Sequence, residues 1–142
     1  MSKLHLHYAV DGEDFMSAGE ASSNVKRALK QLNFDSDTVR RAAICMYEGE
    51  INMMIHAYGG SADIWIEEDN IEIVLADTGP GIADIEQAMQ EGYSTATQKI
   101  RELGFGAGMG LPNIKRHSDS LHVASQVGVG TTLTIKIKPR GE

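Results

Sequence analysis

Apolar and polar residues alternate strictly at the start of the chain. The segment KLHLHYAV has Leu4, Leu6 and Tyr8 at every second position, a period that predicts a half-buried strand. His5 and His7 then point outward together. Two histidines at this spacing supply half of a metal site, and no further Cys/His cluster accompanies them, so we interpret them as a solvated strand face.

Two later segments have the alternation of β-hairpins. ADIWIEEDNIEIVLAD forms two alternating runs on either side of Asp69 and Asn70, and LHVASQVGVGTTLTIKIK forms two more around a turn at residues 128–130. Each pair of runs predicts two antiparallel strands that are neighbours in a sheet.

Longer apolar spacings predict helices between these strands. The first helix is predicted from Asp14 to Gln31. Its apolar residues are Phe15, Ala18, Ala21, Val25 and Leu29. The second follows NFDSD, with Ser36 or Asp35 as its N-cap and acidic Asp37 in its first turn, and it stops at YGG. Further along the chain, the segment ADIEQAMQ predicts a short helical start. The glycine-rich segment GFGAGMGLPNIKRH predicts the beginning of another helix.

Hairpins separated by helices predict the α+β fold class. We expect a two-layer sandwich in which helices cover one face of a mostly antiparallel sheet. The chain has 142 residues, near the usual size of one domain, and it contains no repeat, low-complexity tract or Pro/Ser-rich linker. A single domain over residues 1–142 is therefore expected.

Composition and charge exclude several classes of function. Apolar residues make up 42% of the chain, and no stretch approaches the ~18 apolar residues that a membrane span needs. The start has one lysine and no apolar signal-peptide core, so we expect a cytoplasmic protein without a membrane partner. A net charge of -7 without a Lys/Arg cluster argues against nucleic acid, although backbone amides still allow an anionic ligand. The single cysteine, Cys45, lies among apolar residues and is expected to be a small buried hydrophobe.

The second helix carries Glu48, Asn52 and His56 at four-residue intervals, within YEGEINMMIHAYGG. Residues at this spacing lie on one stripe of a helix, so the three side chains face one environment. Solvent is one interpretation. A polar pocket is the other, because the flanking residues are mostly apolar and a carboxylate, an amide and an imidazole suit metal binding or proton transfer.

Two glycine-containing segments suit a ligand that approaches the backbone. In DTGPGI, Asp77 ends a buried strand, and two glycines with a proline form either a plain turn or a close ligand contact. GFGAGMG has four glycines in seven residues before a helix, as in a phosphate-binding loop or a flexible hinge. The chain lacks the GxxxxGK(S/T) loop, and the glycine run lacks the short strand-turn-helix context of a dinucleotide-binding fingerprint.

Taken in order, these residues resemble the GHKL family of ATP-binding domains, found in gyrase, heat-shock chaperones, mismatch-repair proteins, histidine kinases and anti-sigma-factor kinases. Glu48, Asn52 and His56-Ala57 are similar to its first sequence box, ExxxNxxxHA. DTGPGI is similar to the second box, GFGAGMGL to the third and GVGTT to the fourth, so the resemblance extends from about residue 38 to about residue 137. The fold it implies is the GHKL, or Bergerat, sandwich.

The resemblance implies an ATP site with Mg²⁺. Asn52 would coordinate Mg²⁺, Glu48 would accept a proton from the attacking hydroxyl or water, and His56 would approach the phosphates. Asp77 would bond the adenine amino group, with Thr131 nearby. Two groups of glycines would allow close approach of the backbone, to the base at Gly79 and Gly81 and to the phosphates at Gly106, Gly108 and Gly110. The other implied nucleotide-binding residues are Ile82, Gly104, Ala107, Met109 and Leu111.

Within the family, the chain looks closest to small bacterial anti-sigma-factor and serine kinases of partner-switching systems. A stand-alone length, the HA after the first box, and the spacing of GYSTA and GAGMGLPNIKR carry this resemblance. It implies an ATP-dependent serine/threonine protein kinase that phosphorylates a small antagonist protein or sequesters a sigma factor, and it implies a homodimer. The segment between the second and third boxes would be a movable lid, in which Lys99 and Arg101 reach a γ-phosphate or face solvent.

Two departures from that branch concern the catalytic step. EGEINMMIHA has Gly49 and Glu50 where the branch usually has apolar residues, and a glycine costs roughly 1 kcal/mol of helix propensity relative to alanine. No residue of the lid matches the arginine that some family kinases use. Two alternative functions therefore stay open: an ATP-controlled protein-binding switch without phosphoryl transfer, and the detached ATP domain of a split histidine kinase.

Overall fold

The computed structural model describes residues 4–11, 19–56, 59–79, 89 and 110–139. Within these ranges the chain forms five strands and three helices. In chain order they are β1 (Leu4–Asp11), α1 (Glu20–Gln31), α2 (Ser36–His56), β2 (Gly59–Ile66), β3 (Ile71–Ala76), α3 (Gly110–His117), β4 (Ser120–Gln126) and β5 (Gly130–Ile137). None of these helices is long and apolar enough to cross a membrane.

The strands form one antiparallel sheet in the order β1-β2-β3-β5-β4. Both predicted hairpins are present, because β2 pairs with β3 and β4 pairs with β5. The last strand, β5, lies between β3 and β4, and Ala76 at the end of β3 pairs with Thr132 near the start of β5. This order brings the GVGTT segment next to the DTGPGI segment.

One face of the sheet forms the core together with the helices. Its buried residues alternate along the strands, and they include Ala62, Ile64, Ile66, Ile71, Ile73, Leu75, Leu133, Ile135 and Ile137. From the helical layer, α1 contributes Val25 and Leu29, and α2 contributes Met46 and Met53. Removing this apolar surface from water is the main driving force for the two-layer arrangement. The predicted α+β fold class is confirmed.

The two long helices begin at different kinds of residue. Helix α1 starts at Glu20, directly after Gly19, which has a left-handed φ of 90°. A single helix from Asp14 to Gln31 therefore does not form, and that part of the prediction is wrong, because a left-handed residue ends helical geometry. Helix α2 is capped by Asp35, whose carboxylate accepts the Thr38 N–H at 3.0 Å. The hydrogen bonds from Thr38 lower the pKa of Asp35.

Gly49 lies where α2 packs tightly against β3. A Cβ added there would lie 2.0 Å from Cδ1 of Leu75, which is 1% exposed in the core. A methyl group at this position would have to displace a fully packed side chain. The close approach of helix and sheet therefore accounts for a glycine in the middle of the helix.

Replacing Gly49 by Ala is expected to destabilise the protein, although alanine is the better helix former. The gain in helix propensity is about 1 kcal/mol, whereas overpacking a core costs about 1–3 kcal/mol. Thermal unfolding should show a lower Tm for Gly49→Ala, with Ser23→Ala on the exposed face of α1 as the control. A higher Tm for Gly49→Ala would contradict the packing argument.

Glu50 connects the two long helices. Its carboxylate oxygens accept the N–H groups of Ala21 and Ser22 at 3.3 Å, and the residue is 4% exposed. The first N–H groups of a helix have no partner inside it, so Glu50 satisfies two of them from outside α1. Burial raises the pKa of Glu50, and the backbone donors partly oppose this rise. Gly49 and Glu50, which together form the first departure from the family pattern, thus have structural explanations.

The open face of the sheet carries the two N-terminal histidines, as predicted. The side chains of His5 and His7 are 47% and 57% exposed, and one ring nitrogen of each lies 2.8 Å from Oδ1 of Asp63. His5 also stacks on Trp65 with ring centroids 4.7 Å apart. Hydrogen bonds from His7 and His5 lower the pKa of Asp63. The interpretation as a solvated strand face is confirmed.

Candidate functional site

Asp77 follows β3 and is held by the backbone of two segments. Its Oδ1 accepts the Gly79 N–H at 3.0 Å and the Thr131 N–H at 3.1 Å. Its own N–H donates to the Thr131 carbonyl at 2.9 Å. Within the described part of the chain, no other hydrogen bond reaches the carboxylate. Oδ2 is therefore left to accept a hydrogen bond from a ligand.

Two glycines allow the chain to pack tightly around Asp77. A Cβ on Gly130 would lie 2.2 Å from the Asp77 carbonyl oxygen, and Gly130 has a φ of 147°. A Cβ on Gly60 would lie 2.4 Å from the Ala76 carbonyl oxygen, 2.9 Å from Sδ of Met53 and 3.1 Å from Cα of Asp77. Neither position has room for a side chain. The chain around Asp77 is therefore tightly packed between the start of β5 and the start of β2, where Met53 of α2 contacts Gly60.

Thr131 is fixed from the edge of the sheet. It is 5% exposed, and its hydroxyl oxygen lies 2.8 Å from that of Ser125 on β4. The Ser125 hydroxyl also donates to the Gly130 carbonyl at 3.2 Å. These contacts hold the backbone segment whose N–H donates to Asp77, so the orientation of the carboxylate depends on β4 as well as on β5.

The stripe on α2 faces other parts of the protein. Glu48 and Asn52 are both half-buried. Nδ2 of Asn113, on α3, donates to Oε2 of Glu48. Among the described residues, the Asn52 side-chain amide makes no hydrogen bond. The hydrogen bond between Asn113 and Glu48, together with the half-burial of Glu48 and Asn52, favours a pocket over bulk solvent as the environment of these two side chains.

Cys45 lies one turn before Glu48 and packs α2 against α3. It is fully buried, and its Sγ lies 3.7 Å from the Ile114 carbonyl oxygen. Burial raises the pKa of Cys45 to about 12. The thiol therefore stays protonated at neutral pH and acts as a small buried hydrophobe, as predicted.

Residues 39–141 match the HATPase_c family model, described as histidine kinase-, DNA gyrase B-, and HSP90-like ATPase. The chain belongs to this family. It is similar to the serine/threonine-protein kinase RsbT of Bacillus subtilis, with 33% identity over 126 residues, 84% of this chain and 85% of that protein. It is also similar to an anti-sigma F factor of Clostridium beijerinckii, with 32% identity over 130 residues, 86% of this chain and 87% of that protein.

A solved histidine kinase structure has the same fold. The mycobacterial sensor histidine kinase MprB aligns with a TM-score of 0.55 at 17% identity, covering 98% of this chain and 100% of the compared chain. At this identity the likeness establishes the fold alone. Together with the family match, it confirms the predicted resemblance to GHKL ATP-binding domains.

The structure places part of the predicted HATPase_c site. Asp77, Gly79 and Thr131 form one cluster, and Gly60 lies beside it with Met53 of α2. Gly110 and Leu111 begin α3. The remaining predicted contacts lie outside the described residues: Gly81, Ile82, Gly104, Gly106, Ala107, Gly108, Met109 and the side chain of His56. The predicted lid with Lys99 and Arg101 lies outside them too, as does the helical start at ADIEQAMQ, apart from residue 89.

Three residues that contact predicted site residues or their neighbours were not predicted: Gly60, Asn113 and Ser125. Gly60 and Ser125 act through contacts across hairpin-paired strands, β2 with β3 and β4 with β5, and neither residue belongs to a sequence box. Asn113 had one signal, because a polar residue follows shortly after the glycine-rich run in LPNIKR. Its hydrogen bond to Glu48 on α2 is visible only in the structure.

Proposed function

We propose that this chain binds Mg-ATP and transfers the γ-phosphate to a serine or threonine hydroxyl of a small regulatory protein in the cytoplasm. The single observation that carries the proposal is the half-buried carboxylate of Glu48, held through one oxygen and placed one turn from Asn52 in an ATPase-family fold. Two relatives, a serine/threonine-protein kinase and an anti-sigma F factor, support a protein acceptor.

The proposed adenine contact uses the free oxygen of Asp77. The adenine amino group is a hydrogen-bond donor, and Oδ2 is an acceptor whose direction is set by the two backbone N–H groups on Oδ1. A half-buried, charged acceptor discriminates strongly for a donor at this position. This contact would select adenine over bases that have an oxygen there.

Asn52 is the proposed Mg²⁺ ligand. Magnesium prefers oxygen ligands and is usually held by one or two protein groups together with phosphates and waters, and Asn52 offers a half-buried amide oxygen that suits such a site. In the described residues, no group of three His, Cys, Asp or Glu side chains could hold a metal ion. Bound Mg²⁺ would neutralise part of the negative charge of the phosphates.

Glu48 is the proposed general base. It would take the proton of the acceptor hydroxyl while that oxygen bonds to the γ-phosphorus and the bond from phosphorus to the β,γ-bridging oxygen breaks. The products are ADP and a phosphorylated serine or threonine. The protein contributes mainly by positioning the reacting groups and the charge around them.

Calorimetric titration with Mg-ATP tests the nucleotide site. Asn52→Ala is expected to lower the affinity for Mg-ATP by about tenfold or more, because a contact to a charged partner contributes about 1.5–3 kcal/mol. With EDTA present, the variant and the wild type should bind ATP equally. Arg40→Ala, on an exposed part of the same helix, is the control. A wild type that binds no nucleotide, or an Asn52→Ala variant with unchanged Mg-ATP affinity, contradicts these assignments.

Incubation of the same samples with γ-labelled Mg-ATP and an anti-sigma-factor antagonist protein tests phosphoryl transfer. We expect acid-stable label on the antagonist. Acid-labile label would instead indicate a histidine kinase. Normal ATP binding without any labelled protein would contradict phosphoryl transfer and favour the alternative function, an ATP-controlled protein-binding switch.

A further inference from the structure

Asn113 links helix α3 to the proposed base. Its Nδ2 donates to Oε2 of Glu48, and its Oδ1 accepts a hydrogen bond from Nη1 of Arg116 at 3.0 Å. The two ends of one amide therefore join a carboxylate on α2 to a guanidinium on α3.

The orientation of this amide follows from the chemistry of its neighbours. A carboxylate only accepts hydrogen bonds, so it must face the NH₂ group of Asn113. A guanidinium only donates, so Arg116 must face the oxygen. Rotating the amide by half a turn would place donor against donor and acceptor against acceptor. Asn113 is thus fixed as a donor to Glu48.

Packing between α2 and α3 does not depend on the hydrogen bond between Asn113 and Glu48. Cys45 on α2 and Ile114 on α3 are both 0% exposed, with the Cys45 Sγ 3.7 Å from the Ile114 carbonyl oxygen, and this buried contact holds the helices together. Glu48 and Asn113 lie beside it and are only half-buried. The main effect of the hydrogen bond between Asn113 and Glu48 is therefore to orient the Glu48 carboxylate, and its contribution to helix packing is smaller. A general base requires such a fixed orientation.

We propose that Asn113 is a positioning residue for catalysis: it holds one carboxylate oxygen of Glu48 so that the other oxygen receives the proton of the acceptor. This inference rests on the proposed function. The same hydrogen bond also ties the base to α3, which begins at Gly110.

The first test separates turnover from binding, with release of ADP from Mg-ATP in the presence of the antagonist protein as the readout. Asn113→Ala is expected to lower kcat by about tenfold, part of the 10²–10⁴-fold that a general base contributes. Asn113→Asp should lower kcat further, because two carboxylates then repel each other. The Kd for Mg-ATP should stay within about twofold of wild type in both. Lys115→Ala, an exposed residue of the same helix, should change neither. Unchanged kcat in Asn113→Ala, or an equal loss in Lys115→Ala, overturns the proposal.

A double-mutant cycle distinguishes positioning from a general structural effect. In a Glu48→Gln background, adding Asn113→Ala should cause no further loss of turnover, because the base that Asn113 positions is already absent. A purely structural role would give losses that multiply. Multiplied losses therefore overturn the proposal, even if each single variant is slow.

The NMR signals of the Asn113 side-chain amide provide a readout without activity. Replacing Glu48 by Ala removes the acceptor, so it should shift one of the two amide protons and speed its exchange with water, whereas Arg40→Ala should leave both unchanged. An amide signal that is unchanged in Glu48→Ala overturns the positioning role whatever the turnover. A wild type that binds Mg-ATP but releases no ADP and labels no antagonist overturns the proposed transfer instead, so the two failures are distinguishable.

Discussion

Replacing Glu48 by Gln is expected to slow phosphoryl transfer by about 10²–10⁴-fold, the contribution typical of a general base. The Gln side chain has nearly the same shape, and its oxygen can still accept the hydrogen bond from Asn113. Its amide cannot take up a proton at neutral pH, so the chemical step fails while the geometry is kept. Single-turnover measurements with labelled Mg-ATP should show the loss in rate, and calorimetry should show an affinity for Mg-ATP close to that of wild type.

Glu50 supplies a matched control for this variant. It lies on the same helix two residues later, but its carboxylate caps α1 from the buried side of the helix pair. Glu50→Gln should lower the Tm and leave the transfer rate of the folded protein unchanged. Equal losses of rate in both variants, or a large loss of Mg-ATP affinity in Glu48→Gln, would refute the assignment of Glu48 as the base.

The contrast between Glu48 and Glu50 shows where sequence reasoning reached its limit. The period of two along KLHLHYAV and in the two hairpin segments was enough to predict the strands, since side chains alternate between the faces of a sheet. Four-residue spacing was enough to place Glu48 and Asn52 on one stripe. The spacing did not reveal that Glu50 faces the N-terminus of α1, because that contact joins residues far apart in the sequence.

Glycines illustrate the same limit. Gly49 has poor helix propensity, and the sequence alone presents it as a cost. In three dimensions, Leu75 occupies the space that a side chain would need. Gly60 likewise fits a position where the Ala76 carbonyl and Met53 leave no room for a Cβ. Family resemblance identified the sequence boxes, but the reasons for individual residues within and beside them lie in close contacts between strands and helices.

The carboxylate of Asp77 is the best candidate for selecting the base of the nucleotide. We expect Asp77→Asn to keep the fold and to lower the affinity for ATP by roughly 100-fold, about 2.7 kcal/mol. Oδ1 must remain an acceptor for the N–H groups of Gly79 and Thr131, so the new NH₂ group takes the position of Oδ2. A donor then faces the adenine amino group, which is also a donor.

The change from an acceptor to a donor in Asp77→Asn can be tested with a second nucleotide. Inosine triphosphate has an oxygen in place of the adenine amino group, so the NH₂ group in Asp77→Asn can donate to it. Calorimetry with both nucleotides should show a strong preference of the wild type for ATP, and a reduced or inverted preference in the variant. Asp63→Asn, on the open face of the sheet, should change neither affinity. If Asp77→Asn weakens both nucleotides equally, Asp77 acts only by holding Gly79 and Thr131 in place, and base selection must reside elsewhere.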